Sequence, residues 1–122
     1  MTQKINFGEI WLADLTPRTG TELGKTRPVL IIQNQTLLEI NHPSTLIIPL
    51  TTNLIPNSEP LRIRLKAIDL LEKDSDLLID QVRAIDNHRF IKGPFTKFSE
   101  KFMKKVQSAV MEIIGYEIDE RN

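Results

Sequence analysis

The sequence predicts a mainly β protein, a small barrel of five or six strands closed by one C-terminal α-helix. Three observations predict it. Short apolar runs separated by turn residues recur from 8 to 92. One stretch alternates cleanly, with Leu61, Ile63 and Leu65 apolar between Arg62, Arg64 and Lys66, as a half-wet strand does. Then the period changes. Phe102, Val106, Ala109, Val110, Ile113 and Ile114 fall at helical spacing, with Ser99 as N-cap and Gly115 as the stop. Strands followed by one amphipathic helix fold as a barrel with the helix laid over it.

The elements follow in order. A first strand is expected over 8–14 and a second over 27–33, both apolar at nearly every position and so buried on two faces. The loop between them carries Pro17, Gly20 and Gly24 and reads as a wide hairpin. Pro28 keeps Arg27 extended at the threshold of the second strand. Residues 34–43 hold one turn of helix, and a third strand covers 44–51, with Pro49 marking a bulge or an edge. The stretch TNLIPNSEP is turn-rich, and the alternating fourth strand follows it. A short helical turn is expected within 67–76, ending at Asp74-Ser75. A fifth strand covers 77–85, with Asp80, Gln81, Arg83 and Asp86 as a polar face running on from it. A brief sixth lies near 90–92 before Gly93-Pro94 breaks the chain. Trp11 and the phenylalanines read as core, and Lys97, Lys101, Lys104 and Lys105 as the wet side of the helix.

Composition sets the bounds. At 122 residues the chain is expected to form a single domain, 1–122. Sixteen basic residues balance sixteen acidic ones, so bulk charge cannot drive binding to a polyanion and only a local patch could. There is no cysteine, hence no disulfide or thiolate chemistry. The N-terminal MTQKINFGEI has no apolar signal core and no run reaches membrane-spanning length, so a cytoplasmic protein is expected.

Candidate chemistry gathers at one rim. If the second and third strands pair antiparallel with Gln33 near Thr45, Arg27 falls opposite Thr51, with Thr52 beside it. A guanidinium fork next to a hydroxyl suits a phosphate. From spacing alone Arg27 reads first as an ordinary surface arginine, with the anion site as the second reading. The two histidines, His42 and His88, have no metal-ligand spacing, and neither a GxGxxG nor a Walker loop is present.

The stretch GEIWLADLTPRTGTELGKTRPVLIIQN, followed by IIPLTTN and LLIDQVRAID, resembles the MazF/PemK family of toxin endoribonucleases over nearly the whole chain. The resemblance implies an SH3-like barrel, related to that of the gyrase poison CcdB, acting as a homodimer. It implies cleavage of single-stranded RNA at short sequence sites by 2′-OH attack, with no metal or other cofactor. It assigns the catalytic pair to Arg27 and Thr51, with Thr52 as the competing threonine. RNA contacts fall on Thr21 and Glu22 of the loop and on Asp80 and Gln81, the first being Asp where relatives often carry Glu. With no net charge, the local patch for RNA is expected from Arg18, Lys25 and Arg27. A cognate antitoxin with an acidic, partly disordered tail is the implied protein partner. The rival reading is a CcdB-like gyrase inhibitor or an inactive barrel that only binds. CcdB-like proteins lack the RPV arginine with a following threonine pair and depend on a C-terminal Trp-Gly-Ile, whereas this chain ends YEIDERN.

Overall fold

Apolar side chains leave three neighbouring strands on both faces, and that double burial sets the architecture. The computed structural model of the chain describes residues 4–16, 20 and 25–116. In it β1 (Glu9–Asp14), β2 (Thr26–Ile31) and β3 (Ser44–Thr51) pair antiparallel in sequence order. Successive strand residues point to opposite faces, so Ile10, Leu30, Ile48 and Leu50 enter one buried cluster while Trp11, Val29, Ile31 and Ile47 enter another. The first cluster is completed by Ile63 and Leu65 of β4 (Arg62–Leu65) and Leu77 of β5 (Ser75–Leu78). Met103, Val106 and Ala109 of α2 (Glu100–Ile113) lie over it. The second cluster gains Ile85 of β6 (Arg83–Asp86) and Phe90 of β7 (Phe90–Lys97), and Leu38 of the short α1 (Gln35–Glu39) packs against it.

The strand order is β4-β5-β3-β2-β1-β7, with β6 also paired to β3. The turn after β4 ties the ends of this order together. The Leu70 amide donates to the Phe95 carbonyl at 3.2 Å, and the Thr96 hydroxyl donates to Asp69 at 2.6 Å. The result is an open barrel-like sheet with one helix over its core, the expected fold class.

Several elements differ from the sequence reading. The fifth strand is two strands, because the 3₁₀ turn Ile79–Gln81 interrupts it. Leu50 faces Leu77 and Ile47 faces Arg83, so β3 advances three residues while its partner advances six. Pro49 explains where the interruption falls. Leu46 accepts from Ile32 on the β2 side at 3.0 Å, and alternate residues share an edge, so Pro49 turns its donorless nitrogen to the other edge. The ladder there is broken between β6 and β5, and Pro49 is neither a bulge nor on an edge strand.

The expected helical turn within 67–76 is instead a tight reversal with an Ile68–Leu71 bridge, and β5 already begins at Ser75. Gly93-Pro94 lies inside β7 rather than ending it. β7 follows β1 through two register shifts, and Gly93 lies against the Trp11 ring. Met103 was overlooked as a core residue of the helix, whereas Ile114 is 69% exposed beyond the last turn.

A β-carbon added at Gly93 would stand 2.5 Å from Cδ2 of the Trp11 indole. That indole is buried and donates to Glu9 Oε1 at 2.9 Å, so it has no free direction to move. Gly93→Ala is therefore expected to lower the unfolding free energy by about 1–3 kcal/mol, read as a lower midpoint in urea. An unchanged midpoint would show that the ring can yield.

Candidate active site

The ladder between β2 and β3 places Val29 opposite Pro49, Leu30 opposite Ile48 and Ile31 opposite Ile47. Carried past Val29, this register puts Arg27 across from Thr51, the pairing expected from the sequence. Arg27 and Thr51 line one open cleft of about 680 Å³ at the barrel rim, with Thr52 beside them. The cleft has apolar walls that include Leu12, Pro28, Leu50 and Phe95, and among the described residues its charged side chains are Arg27, Lys73, Lys92 and Glu72. Cations around an apolar surface are what a nucleotide strand needs, phosphates outward and bases stacked.

Thr51 is 8% exposed, and its hydroxyl oxygen accepts the Asn53 amide at 3.2 Å. Behind it stands Asp76, paired with Thr51 across the β3–β5 ladder and 1% exposed. Its Oδ2 accepts from the Ile55 amide at 3.0 Å and Arg62 Nη1 at 3.1 Å, and its Oδ1 accepts from Arg64 Nε at 2.6 Å. Burial alone would raise the pKa of this carboxyl. The Arg64 fork, the Ile55 amide and the Arg62 fork together outweigh it and hold the carboxyl below its usual range.

The remaining candidates are scattered. Lys25 is exposed just before β2, with a φ of 66° and its carbonyl held by the Leu15 amide at 2.8 Å. It is not among the cleft-lining residues. Asp80 and Gln81 sit on the 3₁₀ turn instead of a strand face, also away from the cleft lining. Arg18, Thr21 and Glu22 fall outside the described residues. The described root of their loop is pinned by Arg89, whose Nη1 donates to the carbonyls of Asp14 and Thr16. His88 is exposed, with its ring nitrogen 2.8 Å from Asp86, and His42 is exposed beyond α1.

Residues 6–114 match the family described as PemK-like, MazF-like toxin of type II toxin–antitoxin systems. The chain belongs to the PemK/MazF toxin family. Endoribonuclease MazF of Staphylococcus saprophyticus is 36% identical over 109 residues, covering 88% of this chain and 89% of its own. The fold is shared with crystalline MazF from Deinococcus radiodurans, at a TM-score of 0.76 and 18% identity, over 93% of this chain and 98% of that one. An endoribonuclease in complex with its cognate antitoxin, from a mycobacterial species, aligns at a TM-score of 0.67 and 16% identity, over 95% and 98%. This PemK/MazF chain is an endoribonuclease.

The sequence reading missed Lys73, Lys92 and Glu72. Lys92 faces Leu12 across the β7–β1 ladder, and Leu12 faces Pro28 across the β1–β2 ladder. Only the pairing of the last strand with the first carries Lys92 to the cleft, and no local pattern encodes that. Lys73 belongs to the stretch read as helical. The signal for Asp76 was weak, an acid just before the apolar run Leu77 to Ile79, with two arginines on the alternating strand to match it.

The Asp76 carboxyl is held below its unfolded value, so its contribution to stability is complete above about pH 3.9, the ordinary aspartate value. It is lost as the pH falls through the lower folded value. The urea midpoint of the wild type is therefore expected to fall more steeply below about pH 3.9 than that of Asp76→Asn, which is weaker at neutral pH. Parallel acid profiles would contradict this.

Proposed function

We propose that this toxin cleaves single-stranded RNA, such as mRNA, at short specific sequences by a metal-independent attack of the ribose 2′-OH on the adjacent phosphate. The observation that carries the proposal is the placement of Arg27 and Thr51 across from one another in one cleft. Arg27 offers a planar fork to two phosphate oxygens, and Thr51 offers a hydroxyl to a third. Charge that develops on the phosphorane oxygens is met by donors already in place, the usual source of a large rate effect. The 2′-OH gives up its proton to water and its oxygen bonds to phosphorus, the bond to the 5′-oxygen breaks and that oxygen takes up a proton, and the products are a cyclic phosphate and a 5′-hydroxyl.

Lys73 and Lys92 hold flanking phosphates, and Thr52 and the loop residues Arg18, Thr21, Glu22 and Lys25 read the strand. Asp80 and Gln81 contact RNA that runs beyond the cleft. The chain acts in the cytoplasm as a homodimer, an arrangement supported by Leu54 and Ile55, which are 38% and 47% exposed. A cognate antitoxin with an acidic tail occupies the cationic cleft and blocks it, a reading supported by the antitoxin complex among proteins of this fold.

Purified Arg27→Ala is expected to lose about 100-fold to 1000-fold or more of the cleavage rate on a long RNA, with an unchanged circular dichroism spectrum. Arg27→Lys is expected to fail as well, since a point charge does not replace the fork. A folded Arg27→Ala that cleaves at the wild-type rate would overturn the assignment.

A further inference from the structure

The Thr51 hydroxyl is oriented by the Asn53 amide two residues on, so its aim depends on what holds Asn53. Thr51 closes β3, and the residues after it form a loop that crosses the rim towards β4. A hydroxyl on the last residue of a strand keeps one direction only if that loop is fixed. The loop contacts converge on the buried carboxylate of Asp76.

Two bonds tie it down. The Ile55 amide donates to Asp76 Oδ2 at 3.0 Å. Arg62 Nη1 donates to the same oxygen at 3.1 Å and also to the Asn53 carbonyl at 2.8 Å. Asp76 thus holds both ends of Asn53–Ile55, one directly and one through the Arg62 fork. The Asn53 amide in turn donates to Thr51 Oγ1 at 3.2 Å. An oxygen that accepts the amide proton must point its own proton elsewhere, and Thr51 lines the cleft that Arg27 shares. Arg64 completes the network by binding Asp76 Oδ1 at 2.6 Å, which fixes the carboxylate plane.

We infer that Asp76 is a positioning residue, which through Arg62 and the Asn53–Ile55 turn locks the Thr51 hydroxyl as a donor into the cleft. At 1% exposure Asp76 does not itself reach RNA, so it acts through the groups it holds, and coupling to Thr51→Ala distinguishes the path through Thr51 from one through Arg62 or Arg64. The inference rests on the reading of Thr51 as the hydroxyl that holds the phosphate. It adds to that reading an inner layer, the buried Asp76 carboxylate and the Arg62 guanidinium bound to it. A misplacement of about 1 Å in such a group can cost about 100-fold in rate, so the layer has a measurable effect.

The test is a pair of double-mutant cycles on steady-state cleavage of one RNA, measured over a range of RNA concentrations. Arg62→Met and Asp76→Ala are made alone and in a Thr51→Ala background, with folding checked by circular dichroism and thermal melting. Arg62→Met keeps the Ile55 and Arg64 bonds, so it serves if Asp76→Ala does not fold. Each single variant is expected to lower kcat about 10-fold to 100-fold with little change in KM. In the Thr51→Ala background each is expected to lower it by less than about 2-fold, since the hydroxyl it positions is gone. Folded Arg62→Met at the wild-type rate, or losses that multiply with that of Thr51→Ala, would overturn the positioning role. Wild-type activity in Thr51→Ala alone would instead remove the reading of Thr51 on which the inference stands.

Discussion

β3 is the constraint on which the rest depends. Its eight residues are paired to β2 on one edge and to β6 and then β5 on the other. A one-residue slip would turn every side chain to the opposite face, and both faces of β3 are apolar and buried, so the register is fixed from two sides at once. Thr51 is the last residue of that strand. The residues across from it, Arg27 by continuation of β2 and Asp76 on β5, are placed by ladder geometry and need no loop to find each other. Apolar packing in the barrel thereby becomes precision at its rim. The same packing sets the limit of the device, since the residue after Thr51 leaves the ladder and must be held by other means.

Charge is arranged to suit the same rim. The chain has no net charge, yet Arg27, Lys73 and Lys92 converge on one cleft that holds a single carboxylate, Glu72, among its described lining residues. Nearby, Arg62 and Arg64 are drawn to Asp76 and away from that cleft. The local field is therefore much stronger than the composition suggests. A fold of this size can attract a polyanion without being basic overall, because exposed charges beyond about 10 Å are screened at ordinary ionic strength and only near ones count.

Much of this was legible in the sequence, and the illegible parts share a cause. The barrel class, the third strand and the helix with its Ser99 cap follow from local periodicity, whereas the β2–β3 register is an assumption for adjacent strands that the ladder matches. The split between β5 and β6 does not follow, because Leu77 to Ile85 is apolar enough to read as one strand. Only the missing donor of Pro49 on the neighbouring strand shows where pairing must lapse. Gly93-Pro94 carries the strongest turn signal in its region, yet it lies within β7, because a glycine is what lets backbone pass against the Trp11 ring. Lys92 and Lys73 became site residues through contacts between distant segments, which no window of sequence contains. Asp80 and Gln81 were assigned to a strand face that turned out to be a 3₁₀ turn.

The central claim is that RNA is cut by its own 2′-OH, with the phosphate held by side chains alone. The most direct measurement maps the new ends after the purified protein meets a long RNA in EDTA. The account predicts cleavage undiminished by the chelator, a 2′,3′-cyclic phosphate (or the 3′-phosphate it opens to) on one fragment, and a 5′-hydroxyl on the other. A 5′-phosphate with a 3′-hydroxyl, or cleavage abolished by EDTA, would contradict it.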